Sequence, residues 1–355
     1  MTKPQAVSPI RLKLVDTWAD DTVEQNGIVR MLRENYEVEL VDKDPTLLLF
    51  SCFSEKHTQY TSFNCVKLFF TGENTPPDFT QCDYAMGFDE IAFEDRYLRM
   101  PLFAHHGQLE NVKNREPVTQ ADIEKRERFC NFIYSNRYAA PLREQIYRQL
   151  TEYKHVESAG KYLRNIMVDE DANITLGRGQ PNTFKKLAVQ QQYRFSIAFE
   201  NSEHEGYTTE KIMDAFAART IPIYWGNPHV LRDFDPRSFI NAYDFDTIED
   251  LVAEVIRIDN DPEAYLEMLN APVFTKSFLA LPPLGEQMSA FIARIVEQEP
   301  AVARKRAKSG AARRMELQTA RKYATLWDKL KKRLPSKPVS YENTVGYSII
   351  KPRKR

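Results

Sequence analysis

Residues 194–226, RFSIAFENSEHEGYTTEKIMDAFAARTIPIYWG, constrain the fold more than any other stretch of this chain. Residues 195–200 are apolar on both faces, as a strand buried inside a parallel sheet must be. A polar loop, 201–207, follows with Gly206 as its turn residue. Thr208 or Thr209 then caps a helix that places Ile212, Ala215 and Phe216 on one face. Residues 221–225 form a second apolar strand that stops at Gly226. Strand, helix and strand at this spacing predict a βαβ unit with its crossover connection. Ligands of such units sit where the carboxyl ends of the strands meet the helix amino terminus. Glu210 and Lys211 occupy that first helical turn, so the stretch marks a ligand site as well as a fold.

The remainder of the chain extends the same pattern. Short apolar strands are expected at 10–15, 38–41, 47–53, 66–70 and 83–88, with a helix over 23–35. Residues 96–103 lead into a loop containing His105 and His106. Residues 129–134 read as a strand and 140–153 as a helix with Leu142, Ile146 and Leu150 spaced by four. Residues 154–179 are aperiodic, 184–192 form a short helix, and a strand is expected over 239–244. Helices follow at 247–259, 262–269 and 285–296, the second begun by proline. A length of 355 residues supports two domains. The expectation is an α/β protein of two Rossmann-like halves facing a central cleft, with domains at 1–153 and 154–300 and a basic helical tail at 301–355.

Charge is divided unevenly. The tail holds 17 Lys or Arg against 3 Asp or Glu, leaving 32 against 47 in residues 1–300. An acidic body argues against nucleic-acid binding, and a basic tail suits an anionic surface. Residues 313–334 set Leu317, Ala320, Ala324, Trp327, Leu330 and Leu334 on one stripe flanked by basic residues. That pattern fits an interfacial helix on anionic lipid, and equally a helix packed back on the amino-terminal domain. The four cysteines lack C-x-x-C spacing, so neither zinc nor a disulfide framework is expected. The amino terminus lacks the apolar core of a signal peptide, so a cytoplasmic protein, peripheral to the membrane at most, is expected.

Candidate chemistry follows from the helix start. Lys211 adds a full charge to amide groups already suited to a phosphate or diphosphate. Glu210 is a poor phosphate ligand, but its carboxylate can accept hydrogen bonds from ribose hydroxyls. An ordinary helix start would also carry an acidic residue, so the dipeptide gains meaning only from its loop and strand context. Glu73 closes TGENTPP, a loop that prolines bar from helix, at the end of the 66–70 strand. A carboxylate there can act as a general base, although most loop glutamates are merely solvated; Asp89, Glu90 and His105 are rivals. Arg164, near Lys161, could clamp phosphate oxygens or simply be exposed. Three D-x-D triplets, Asp169/Asp171, Asp233/Asp235 and Asp244/Asp246, could hold a metal, but an acidic chain yields such triplets by chance. Neither G-x-G-x-x-G nor a Walker loop is present, which argues against dehydrogenase and phosphoryl-transfer chemistry.

The motif FENSEHEGYTTEKIMDAFAARTIPIYWG closely resembles the donor-site motif of the α-1,3/4-fucosyltransferases. The similarity extends to FFTGENTPPDF, DYAMGFDE, RYLRMP, FCNFIYSN and SFINAYDF, covering about residues 65–245. The resemblance implies a GT-B fold with an amino-terminal acceptor domain and a carboxyl-terminal GDP-fucose domain. It implies Glu73 as general base, Arg164 and Lys211 on the diphosphate, Glu210 on the ribose, and Asn201 and Tyr207 lining the site. Glu200 is a further candidate for contact with fucose or the transition state. Spacing around Arg164 varies among members of the family. The implied reaction is inverting transfer without metal or cofactor, from GDP-fucose to a galactosylated N-acetylglucosamine or lactose. A metal-dependent glycosyltransferase and an idle nucleotide-sugar or membrane-surface binding protein stand as alternatives.

Overall fold

The computed structural model describes residues 9–17, 26–53, 59–105, 108–167 and 186–306. These fall into two compact units. One comprises the described residues up to Met100 together with those from Pro282 onward, and the other comprises Pro101–Leu281. Each is built on a parallel sheet, so the α/β class with two Rossmann-like units is the class found.

In the first unit, β1 (Ile10–Val15), β2 (Val38–Leu40), β3 (Leu47–Phe50), β4 (Val66–Phe70), β5 (Tyr84–Gly87) and β6 (Tyr97–Arg99) pair in the order β2-β1-β3-β4-β5-β6. Every pairing is parallel. β3 is buried along its whole length, which is why its sequence is an unbroken apolar run. The Gly27–Asn35 helix is capped by Asn26, whose side chain accepts the amides of Ile28 and Val29. The Leu284–Val296 helix turns Met288, Phe291, Ile292 and Ile295 onto the same core as Leu12, Leu49, Leu68 and Met86.

In the second unit, β7 (Arg128–Asn131), β8 (Val156–Glu157), β9 (Tyr193–Phe199), β10 (Ile221–Trp225) and β11 (Ile240–Asn241) pair in the order β11-β10-β9-β7-β8. The predicted βαβ unit is present: β9 and β10 run parallel from Ile221 opposite Phe195 to Trp225 opposite Phe199. The Glu210–Ala217 helix connects them and buries Ile212, Met213, Ala215 and Phe216. From β7 the chain passes to β8 on one side and then crosses back to β9 on the other. This reversal of direction lies between β7 and β9, where α/β sheets characteristically open a crevice at their carboxyl ends.

The expected domain boundary does not follow this division. Chain order puts residues 1–153 in one domain, but β7 pairs with β9, and Leu142, Ile146 and Leu150 share a core with Phe195 and Ile197. Strand 128–131 and helix 142–153 therefore belong to the second unit. The helix placed last in the 154–300 domain belongs to the first. Chain order does not reveal which sheet a later element joins. The strand expected over 239–244 stops at Asn241, whose side chain accepts the Tyr243 amide and starts a 3-10 turn. Leu102–His105 is a short helix, so His105 ends a helical turn where a loop is expected. Of the basic tail only residues 301–306 are described, so the 313–334 stripe lies outside the described residues.

The start of that tail is anchored on the first unit. Asp83, fully buried, accepts the Lys67 amide at 2.8 Å with one oxygen. The other oxygen accepts the amides of Lys305 and Arg306 at 2.9 Å each and lies 3.0 Å from the Arg306 guanidinium. Removing one partner of such a buried pair strands the other. Asp83→Ala is expected to lower unfolding stability by about 3 kcal/mol. Urea denaturation followed by tryptophan fluorescence and circular dichroism checks this; an unchanged midpoint would show that the tail's start adds nothing to the first unit.

Candidate functional site

The carboxyl ends of β9 and β10 bring most of the predicted residues together. Glu200 follows β9 directly, its amide donating to the Trp225 carbonyl at 2.8 Å, and its side chain is fully buried. Gly226 follows β10 with φ at 143°, in the left-handed region. A Cβ on Gly226 would lie 2.5 Å from Glu200 Cβ and Cγ, so glycine is required both by conformation and by close approach.

Glu200 reaches the start of the Glu210–Ala217 helix. One carboxylate oxygen accepts the Thr209 amide at 2.8 Å, and the other accepts the Thr209 hydroxyl at 2.8 Å and the Lys211 ammonium at 2.9 Å. Lys211 Nζ also donates to Thr209 Oγ1 at 2.8 Å and lies 3.6 Å from Glu210. The Lys211 side chain is 14% exposed and the Glu200 side chain not at all. Burial opposes the Lys211 charge, but Glu200, Glu210 and Tyr207 outweigh it and hold its pKa above the ordinary lysine range. The amine stays charged. The anion nearest this helix start is thus the protein's own carboxylate, which orients the ammonium. Glu210 is 37% exposed on its side chain.

The loop between β9 and the helix is fixed at several points. Gly206, with φ at 82°, donates its amide to Asn227 Oδ1 at 2.8 Å, and Asn227 donates to Thr208 Oγ1 at 3.0 Å. Tyr207 is buried, so its ring supports the loop more than it lines an open surface. Asn201 is held from the β7 side. Its backbone carbonyl accepts the Ala140 amide at 2.8 Å, and Arg143 donates to its side-chain oxygen at 2.7 Å.

Arg143 and Asn227 went unpredicted. Arg143 is fully buried, stands 4.2 Å from the Tyr134 ring centroid and donates to the Asn136 carbonyl. Burial draws its guanidinium below the usual range, against the pull of Tyr134, Tyr162 and Glu200. An arginine in the first turn of a helix reads as a solvated residue; only the pairing of β7 with β9 turns it inward. Asn227, one residue past the IPIYWG run, could have been suspected as a turn residue, but nothing in its spacing shows its two partners.

Arg164 stands in the loop after β8, exposed, donating through Nε to the Gly160 carbonyl at 3.1 Å. That loop is tied to the β7 side. The Tyr162 amide donates to the Tyr134 carbonyl, and a Cβ on Gly160 would come within 2.2 Å of the same oxygen. Tyr134 in turn donates its hydroxyl to the Ile197 and Phe199 carbonyls. Glu73 belongs to the first unit. It follows β4, half-buried, with its amide donating to Thr71 Oγ1 at 3.0 Å.

Of the D-x-D triplets, Asp235 caps its own 3-10 turn and pairs with Arg237 at 2.8 Å. Asp244 belongs to the 3-10 turn after β11, and Asp169/Asp171 lies outside the described residues. All four cysteines are free thiols. Among the described residues no helix is long and apolar enough to cross a membrane.

Comparison with known proteins places this arrangement. The profile described as "Alpha-(1,3)-fucosyltransferase FucT N-terminal domain" matches residues 12–106, and "Glycosyltransferase family 10 (fucosyltransferase) C-term" matches residues 123–271. The chain belongs to this fucosyltransferase family. Over 298 residues it is 32% identical to the alpha-(1,3)-fucosyltransferase FucT of Helicobacter pylori, covering 74% of this chain and 59% of the relative. A 3-galactosyl-N-acetylglucosaminide 4-alpha-L-fucosyltransferase of Bos taurus is 27% identical over 169 residues, covering 46% and 42%. A crystal structure of an alpha1,3-fucosyltransferase with GDP-fucose superposes with a TM-score of 0.63 at 28% identity, covering 84% of this chain and 92% of that one. Residues 107–122 separate the two profile matches, just after the division of the structure at Met100 and Pro101.

In this member of the fucosyltransferase family the Glu200–Lys211 pair has a measurable signature. Glu200→Ala would leave a buried ammonium and the Thr209 amide without their acceptor, at a cost of about 3–5 kcal/mol. Glu200→Gln keeps an acceptor for Thr209 and should cost less. Chemical denaturation of both variants checks the order; equal stability of Glu200→Ala and the unaltered protein would contradict it.

Proposed function

We propose that the protein transfers L-fucose from GDP-β-L-fucose to a sugar hydroxyl by direct displacement, with inversion at the fucose anomeric carbon. The observation that carries this reading is the Lys211 ammonium, held charged by Glu200 at the carboxyl end of β9 where the Glu210–Ala217 helix begins. It is supported by membership of a family with a structural relative described in complex with GDP-fucose.

The chemistry follows from where charge develops. As the C1–O bond to the diphosphate breaks, negative charge grows on GDP. Preorganised cations aimed at that charge lower the barrier because they need not reorganise during the step. Lys211 and Arg164 are proposed for the diphosphate and Glu210 for the ribose hydroxyls, with Asn201, anchored by Arg143, bordering the donor. Glu200 is proposed to act through Lys211 by fixing its direction, because it is buried and already bound to Thr209 and Lys211. We assign leaving-group stabilisation to these cations and assign no metal to the reaction. Glu73, from the first unit, is proposed as the base that takes the proton of the incoming hydroxyl. The stereochemical result is an α-linked fucose.

The proposed acceptor is a galactosylated N-acetylglucosamine or lactose, fucosylated at O3 of the reducing-side GlcNAc or Glc to give an α-1,3 linkage. An α-1,4 linkage is the second reading, prompted by the bovine relative's name.

One assay tests both the activity and the base. Release of GDP from GDP-fucose is measured with and without N-acetyllactosamine, and the product is analysed for mass and linkage. Acceptor-dependent release with an α-1,3 product is expected. Glu73→Ala should slow transfer by about 10²–10⁴-fold while GDP affinity stays within about twofold, since the base does not touch the nucleotide. Release that ignores the acceptor would remove the transferase reading, and undiminished transfer by the variant would remove Glu73 from the mechanism.

A further inference from the structure

The amino-terminal ends of the second unit's strands carry a cavity of about 730 Å³ that the reaction above does not use. Its lining includes Arg128, the first residue of β7, Gln192, just before β9, and Arg219, just before β10. The cavity therefore lies at the sheet ends opposite Glu200 and Gly226. The Glu210–Ala217 helix, whose first turn holds Lys211, ends beside it at Ala217 and Ala218.

Besides Arg128, which pairs with Glu157, three guanidiniums line it: Arg115, Arg126 and Arg219. Arg115 donates to the Ala271 carbonyl at 2.6 Å and lies 5.7 Å from the Phe216 ring centroid. Arg126 donates to the Arg219 carbonyl, and Arg219 donates to Asn270 Oδ1 at 3.4 Å. Among the described residues none of the three pairs with a carboxylate. The acidic residues of the lining do not neutralise them. Asp122 is bound to Thr119 and Lys125, and the exposed Glu116 and Glu127 form no ion pair with the three. Each guanidinium carries five donors, and Arg219 Nη1 is buried without a hydrogen-bond acceptor.

Like charges held this close oppose one another. Burial and the neighbouring Arg219 pull Arg115 down to about 10, and burial and Arg126 lower Arg219. The carbonyl end of the Glu210–Ala217 helix accounts for some positive charge nearby. It does not account for three guanidiniums with one orphaned, buried donor, an arrangement that a multiply charged acceptor would complete.

We propose that this cavity is a second binding site, taking a phosphate or diphosphate group either free or carried on a small organic molecule. Planar guanidiniums match phosphate oxygens in paired geometry, and the volume exceeds what the anion alone would fill. The site is separate from the donor end of the sheet and does not depend on the proposed reaction.

The test uses the full chain with Lys211→Met, which weakens the other phosphate-binding position. Orthophosphate and pyrophosphate are each titrated by calorimetry into Lys211→Met, and into the same background carrying Arg115→Gln or Arg219→Gln. Pyrophosphate is expected to bind Lys211→Met, more weakly as salt rises, and to lose at least about tenfold in affinity with either arginine replaced. Binding of orthophosphate with similar affinity would identify a free anion as sufficient; much tighter pyrophosphate binding would identify a diphosphate group. Both outcomes support the site. Circular dichroism and the thermal midpoint confirm that the variants are folded, and Arg115→Gln alone must still bind GDP. No pyrophosphate binding to folded Lys211→Met, or equal binding with and without the arginines, overturns the proposal.

Discussion

A carboxylate buried against an ammonium, Glu200 with Lys211, is the interaction on which the second unit's functional end depends. Taking both charges from water costs several kcal/mol per ion, and their attraction roughly offsets that cost. The pair's main contribution is therefore direction. Glu200 accepts the Thr209 amide and hydroxyl, which locks the helix start, and its second oxygen sets where Lys211 points. Gly226 allows the approach because any side chain would displace Glu200. A lysine on a flexible four-carbon stem becomes a fixed cation by this means, and a fixed cation is what a developing diphosphate charge requires.

The sheet supplies the frame. Reversal of strand order between β7 and β9 leaves their carboxyl ends without a crossing connection, and the loops after β7, β8, β9 and β10 are laced together there. Arg143 ties the β7 side to Asn201, Tyr134 ties it to the end of β9, and Gly160 lets the Arg164 loop approach Tyr134. The amino-terminal ends of the same strands have a different character, with arginines bound mainly to carbonyls. One eight-residue helix, about 12 Å long, separates the two kinds of positive charge.

What the sequence made legible was local. The central βαβ unit, the helix start at Thr209 and the β10 bounds can be read from apolar runs and turn residues, because these depend on neighbours within about thirty positions. The positions of Glu210 and Lys211 at the helix start are legible for the same reason. The Thr209 hydroxyl, however, caps no helix amide and donates to Glu200 instead. Long-range pairing was not legible. The 128–131 strand looks like a continuation of the first half until it is seen beside β9, and the 284–296 helix shows an apolar face without showing which sheet it covers. Arg143 was invisible on the same account. Glu200 stands in the motif, but its sequence neighbours do not show that its oxygens are taken by Thr209 and Lys211. In the structure Lys211 is oriented by Glu200 and Glu210 is partly exposed, whereas Tyr207 and Glu200 are buried.

The central claim is that an oriented Lys211 charge holds the diphosphate, and comparing GDP with guanosine tests it most directly. Calorimetry of Lys211→Met should show GDP affinity reduced by about 10–100-fold, the loss of one charge-assisted contact, with guanosine affinity unchanged from the unaltered protein. The guanosine arm reports whether the nucleoside site is still formed. GDP binding that survives the substitution, with guanosine binding also intact, would contradict the account.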